Sequence, residues 1–121
     1  MDKCPFCDAE ETLISNALAY ALFDKFPVNP GHLLVLPRRH VASYFEATAA
    51  ERAALLELID AGKVLLEERF KPAGYNIGIN VGSMAGQTIP HLHVHLIPRY
   101  AGDVADPQGG VRGVIPDKQK Y

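Results

Sequence analysis

The chain has no tryptophan, two methionines and two cysteines among 121 residues. Two cysteines cannot supply the disulfide framework of a small secreted scaffold, so stability has to come from an apolar core. No apolar run approaches the ~20 residues that span a bilayer, and the N-terminus lacks a signal-peptide pattern. The expected setting is therefore cytoplasmic, with no membrane partner and no structural disulfide between Cys4 and Cys7. There is no excess of positive charge either: 12 Lys and Arg stand against 14 Asp and Glu, for a net charge of −2. That balance argues against a nucleic-acid polymer as partner. What remains, 48% apolar and 21% charged, is an ordinary globular composition of single-domain length. One domain over 1–121 is expected.

Against these scarcities, histidine is concentrated. Three of the five histidines fall at His91, His93 and His95, alternating with Leu92 and Val94. In a β-strand, alternate side chains share a face, so three imidazoles would line one side while Leu92, Val94 and Leu96 enter the core. A strand rises about 3.3 Å per residue, which separates His91 from His95 by about 13 Å. Zinc–nitrogen bonds are about 2.0–2.1 Å long, so one ion cannot easily hold all three. The run therefore divides into two tasks, one end shaping the site or holding metal and the rest acting on a ligand.

The other elements follow in chain order. Cys4-Pro5-Phe6-Cys7 is a C-x-x-C pair, redox-active or half of a zinc site. The redox reading lacks a preceding strand. The zinc reading needs two more ligands, with His40 a candidate third and the histidine strand a further source. Leu13–Ser15 and Ala19–Phe23 read as strands, the second closed by Asp24. Pro27-Val28-Asn29-Pro30-Gly31 is a turn, and His32–Leu36 a strand ended by Pro37. Thr48-Ala49-Ala50-Glu51 is a capping box that opens a helix to about Phe70. Leu55, Leu58, Ile59, Gly62, Leu66 and Phe70 form its apolar stripe, with Glu51, Arg52, Glu57, Lys63, Glu67 and Glu68 largely off it. Gly62 marks close approach of the helix to a sheet. In Tyr75–Val81, Asn76, Gly78 and Asn80 share a small polar face, a candidate ligand floor. The glycine-containing loop Gly82–Thr88 either cradles a phosphate through its N–H groups or simply connects strands. Residues 100–121 read as an irregular tail. Several strands with one long helix predict an α+β fold of about five strands in a mostly antiparallel sheet.

The segment HLHVHLI resembles the signature of the histidine triad (HIT) family of nucleotide hydrolases and transferases, and the likeness runs from about Tyr20 to Gly102. PGHLLVLPRRH is similar to a second signature of that family, in which the residue matching His32 joins the triad at the phosphate site. The resemblance implies a HIT-like fold, a homodimer, and an AMP-containing nucleotide as substrate. It also implies His93 as nucleophile toward the α-phosphate, through a nucleotidyl-histidine intermediate, with His95 and His32 binding phosphoryl oxygens and managing protons. Gln87 and Thr88 match residues near the leaving oxygen, Asp24 the ribose position and Asn80 a residue lining the nucleotide site. A zinc-binding branch of the family implies a structural Zn held by Cys4, Cys7, His40 and His91, within an N-terminal unit of residues 1–12. Mg would enter as a counter-ion of the nucleotide. The third histidine, which is glutamine in the transferase branch, favours hydrolysis. Pro98–Asp103 resembles the dinucleoside polyphosphate hydrolases of the fragile histidine triad branch, whose usual residue at the position of Asp24 is Asn. The expected activity is hydrolysis of a compound such as diadenosine tetraphosphate, releasing AMP. The alternatives are a purine nucleoside phosphoramidase or adenylate-amino-acid hydrolase, and a nucleotide-binding interaction module with vestigial activity.

Overall fold

The structure, a computed structural model, describes residues 4–7 and 12–121. Residues 1–3 and 8–11 of the expected N-terminal unit lie outside the described residues. Five strands, β1 (Ile14–Ser15), β2 (Ala19–Phe23), β3 (Leu33–Pro37), β4 (Gly74–Ile79) and β5 (Val94–Arg99), form one sheet in the order β1-β2-β3-β5-β4. Every neighbouring pair is antiparallel, as expected for the α+β class. Among the described residues a single α-helix, α1 (Ala49–Arg69), crosses between β3 and β4.

The helix covers one face of the sheet. Ala19, Ala21, Val35, Leu92 and Val94 pack with Leu55 and Leu58, and Leu33 and Leu96 pack with Leu66. Alternation sends the intervening residues to the opposite face, where Tyr20, Leu34 and Leu36 form a smaller cluster with Phe6 and Leu22. The register sets Leu34 and Gly78 beside His95, so that apolar cluster and the histidine share a face. The site is therefore carried on the side of the sheet that no α-helix covers.

At Gly62 the helix approaches the sheet closely. A Cβ there would stand 3.1 Å from Leu33 Cδ1 and 3.2 Å from Leu96 Cδ2, tighter than packing allows without displacement. The propensity cost of glycine, about 1 kcal/mol, is the cost of that approach. Gly31, at φ +88°, closes the turn before β3 in a conformation that disfavours any side chain.

Two expectations are corrected. Glu51 is not off the buried face. It is 4% exposed, because its carboxylate both closes the capping box on Thr48 and takes a two-pronged contact from Arg39, Nε–Oε2 at 3.0 Å and Nη2–Oε1 at 2.8 Å. The hydrogen-bonded strand begins at Val94, so only His95 of the three histidines lies within it. Leu92 donates its N–H to Val41, and the Pro37 carbonyl accepts from the His91 side chain, so the chain enters the sheet late. Extended alternation persists nonetheless, with Leu92, Val94 and Leu96 in the core. The tail is ordered as two short 3-10 segments, Gly110–Val114 and Pro116–Lys118.

The Arg39 contact, then the Thr48 backbone, lowers the Glu51 carboxyl from 4.5 to about 2. A depressed acid stabilises the fold above its unfolded pKa and loses that contribution as pH falls through the folded value. Glu51→Gln should therefore lower stability by about 1 kcal/mol at pH 7. Urea titrations should show the gap between variant and parent narrowing as pH falls from 4.5 toward 2.

Candidate active site

His91 is fully buried, and its two ring nitrogens face different elements. Nε2 donates to the Pro37 carbonyl at the end of β3, 2.8 Å away. A carbonyl can only accept, so the proton sits on Nε2 and the Nδ1 lone pair points the other way. There it meets Cys4 Sγ at 3.3 Å and Cys7 Sγ at 3.5 Å, while His40 Nδ1 lies 3.2 Å from Cys7 Sγ. One donor atom from each of the four residues lies within 4.8 Å of all the others. Tetrahedral zinc with two sulfurs and two nitrogens requires S···N separations of about 3.5 Å. The four residues expected to bind metal are thus gathered with matching spacing and donor chemistry, and His91 has the outer hydrogen bond that orients a metal-binding imidazole. Burial, the largest influence, holds His91 below its ordinary pKa and so in the neutral form a metal requires. His40 is placed by its neighbours: Arg39 is anchored to Glu51, and Val41 and Ala42 accept from Leu92 N–H and Gln87 Nε2.

Main-chain groups also set the protons on the other histidines. His93 Nδ1 is 2.8 Å from the His91 carbonyl and must carry hydrogen, so the neutral ring has its lone pair on Nε2. His32, 2% exposed, accepts the Val28 N–H on Nδ1 at 3.0 Å. Neutral His32 therefore has its proton on Nε2, which lies 2.9 Å from His95 Nδ1 and 3.5 Å from Asp24 Oδ2. His95, accepting on Nδ1, presents an N–H at Nε2. Burial lowers both pKa values first, with Asp24 opposing it in each case, and for His95 the nearby His93 and His32 lower it further. Asp24, His32 and His95 also bring donor atoms within 4.8 Å of one another. In neutral His32, however, one nitrogen is occupied by an amide and the other by hydrogen, so this group forms a proton chain rather than a ligand set. The His93 and His95 rings are 5.1 Å apart at their centroids.

The remaining predicted residues divide. Gly78, beside His95, leaves open space: a Cβ there would meet nothing within 4 Å. Asn80 follows β4 directly and is half-buried. In the loop Gly82–Thr88, Gly82 N–H donates to Gln87 Oε1, and the N–H groups of Ala85, Gly86 and Gln87 bond within the turn. Gln87 uses both ends of its amide on backbone, donating to the Ala42 and Ile89 carbonyls. Thr88 lies just beyond it. Asn76, from the expected ligand floor, accepts from Arg99 Nη1 at 2.6 Å, while Arg99 also grips Asp103. Asn29 bridges Asp103 and the Pro98 carbonyl, fixing the turn that carries His32 against the end of β5.

Two contributors went unmarked in the sequence. The Val28 amide has no side-chain signal at all. Phe6, between the cysteines, places its ring 5.2 Å from that of His93 and 5.9 Å from that of His91, and its carbonyl accepts from the Tyr20 hydroxyl. A C-x-x-C motif directs attention to its ends, although an aromatic residue inside it is a cue.

Comparison with known proteins agrees with this geometry. The family model described as the HIT domain matches residues 8–102. An AP-4-A phosphorylase of Mycobacterium tuberculosis is 37% identical over 104 residues, covering 84% of this chain and 53% of the relative. An asymmetrical bis(5'-nucleosyl)-tetraphosphatase of Schizosaccharomyces pombe is 38% identical over 89 residues, covering 74% and 49%. The chain thus spans about half the length of these two relatives. Among solved structures, a Zn-bound histidine triad family protein from Mycobacterium smegmatis superposes with a TM-score of 0.76 at 28% identity, over 85% of this chain and 79% of that one. With the family model covering most of its length and the three histidines set out as its signature requires, the chain belongs to the HIT family.

Proposed function

We propose that the protein is a nucleotide hydrolase acting at an α-phosphate, with His93 Nε2 as nucleophile and a dinucleoside polyphosphate such as diadenosine tetraphosphate as substrate. The observation that carries this reading is a pair of contacts: His93 Nδ1 faces the His91 carbonyl, which leaves Nε2 of the neutral ring with its lone pair, and His95 Nδ1 faces His32 Nε2, which leaves Nε2 of the neutral ring with hydrogen. Attack by Nε2 on phosphorus forms a P–N bond and breaks the bond to the departing polyphosphate oxygen, giving a nucleotidyl-histidine. His95 donates a hydrogen bond to a phosphoryl or leaving oxygen, and the His32 Nε2–Nδ1 contact holds it in the tautomer that does so. Water then attacks phosphorus and gives up its proton to solvent, the P–N bond breaks, His93 Nε2 recovers its lone pair, and AMP leaves. The names of relatives as a tetraphosphatase and a phosphorylase support this substrate class. Asp24 is assigned to the ribose hydroxyls, as a carboxylate can accept from both, and Asn80 to the wall of the nucleotide site. Thr88 flanks the leaving group, with Gln87 holding the loop that presents it. Mg2+ accompanies the substrate's phosphates.

Cys4, Cys7, His40 and His91 would hold a structural Zn2+, tying the N-terminal segment to the start of the catalytic run. Four protein ligands leave no open position, so the metal would contribute folding energy and not chemistry. The zinc in a related HIT structure supports this. The exposed edge strand β4, with Ile77 half-exposed, is where two copies would join as a homodimer.

His93→Ala should abolish turnover of diadenosine tetraphosphate while AMP binding changes by less than about threefold, a loss confined to kcat. Rapid quench with labelled substrate should place label on His93 of the parent enzyme, and near-normal turnover by the variant would refute the nucleophile. Adding phosphate decides the acceptor: AMP as product marks hydrolysis and ADP marks phosphorolysis. An adenosine phosphoramidate run in parallel tests the alternative substrate class, and tight AMP binding without any turnover would indicate an interaction module. Elemental analysis should find one zinc per chain, lost on Cys7→Ser together with a fall in melting temperature. Absence of zinc, with both thiols reacting readily in the native protein, would exclude the metal. Sedimentation at micromolar concentration should give the mass of two chains, and Ile77→Asp should shift it toward one.

A further inference from the structure

We propose that Phe6 is a positioning residue for His93, so that the Cys4–Cys7 turn sets the orientation of the nucleophile as well as tying down the N-terminus. The proposal rests on His93 being the nucleophile. An imidazole attached through two rotatable bonds needs two constraints before Nε2 has a single direction. The first is the bond from Nδ1–H to the His91 carbonyl, which fixes one edge of the ring at 2.8 Å. Rotation about that bond remains, and the contact that opposes it is the Phe6 ring, tilted 54° to His93 at a centroid distance of 5.2 Å. The His95 ring stands 5.1 Å away, so His93 has two ring neighbours, Phe6 and His95.

Phe6 can act this way because it is itself held. Its flanking cysteines reach His91 and His40 through their sulfurs. Its carbonyl accepts from the Tyr20 hydroxyl on β2, and its ring packs with Tyr20, Leu34 and Leu36 on the catalytic face of the sheet. The same ring meets His91 edge-on at 5.9 Å. His91 therefore reaches His93 twice: directly, through its backbone carbonyl, and indirectly, through the cysteines that fix Phe6. Any displacement of the turn would move the ring off the nucleophile while leaving the triad's own backbone in place.

Displacing a reacting group by about 1 Å costs on the order of 100-fold in rate, so Phe6→Ala should lower kcat between about 10- and 100-fold, with KM within about twofold. Label should accumulate on His93 more slowly by the same factor in rapid quench, and zinc content should stay at the parent value. Phe6→Tyr, which keeps the flat ring, should retain kcat within about threefold, while Phe6→Leu, which keeps apolar volume without it, should fall between the two. Melting curves identify any variant that fails to fold, and Phe6→Tyr then carries the comparison. A rise in KM at unchanged kcat would overturn the proposal by making Phe6 a wall of the nucleotide pocket. Loss of zinc in Phe6→Ala would also overturn it, since the ring would then serve the cysteine turn. The two readings fail separately: no label on His93 in the parent refutes the nucleophile, whereas equal labelling rates in parent and Phe6→Ala refute the positioning.

Discussion

The site depends on the way one buried imidazole divides its nitrogens. His91 gives Nε2–H to the Pro37 carbonyl and turns its Nδ1 lone pair on the sulfurs of Cys4 and Cys7. That division binds three distant parts of the chain at one point: the N-terminal turn, the end of β3 and the entry to β5. It also explains why the β5 ladder starts late, because a side chain occupies the carbonyl where a strand would pair. His91 contributes its backbone carbonyl to His93, so the residue that gathers the cysteines also sets the proton on its neighbour. A buried polar group held at both ends costs little and specifies much.

The five histidines fall into two sets, with His93 between them. His40 and His91 face the cysteines, and His32 and His95 form a chain that ends near Asp24. Alternation alone places His91, His93 and His95 on one side, which invites reading them as one catalytic group. The separation arises because His91 is buried deeper than the other two and turns Nδ1 to the cysteines. His93 meets both sets, through the His91 carbonyl on one hand and the His95 ring on the other.

Much of this was legible in the sequence. Periodicity located the five strands and the helix, Thr48 announced its cap, and Gly62 marked a close helix–sheet contact. The histidine spacing and the C-x-x-C pair pointed to the residues now found together. Other features were not legible, for physical reasons. Glu51 looks solvent-facing in a helical pattern, and only the long-range arrival of Arg39 from the loop after β3 makes its burial tolerable. A glycine-containing loop advertises open amides, but the Gln87 side chain takes that of Gly82 and the turn itself those of Ala85, Gly86 and Gln87. Phe6 acts through a tertiary contact some ninety residues along the chain, which no local pattern encodes.

The amide of Val28 and the carbonyl of His91 have a further consequence. Each is a main-chain atom, and each dictates where a neighbouring imidazole keeps its hydrogen. Most substitutions leave such atoms in place, proline at 28 being the one that would delete the donor. The protonation pattern is therefore inherited with the path of the backbone and insulated from drift in the surrounding side chains. Side chains around the histidines can vary while each of these imidazoles keeps its hydrogen on the same nitrogen.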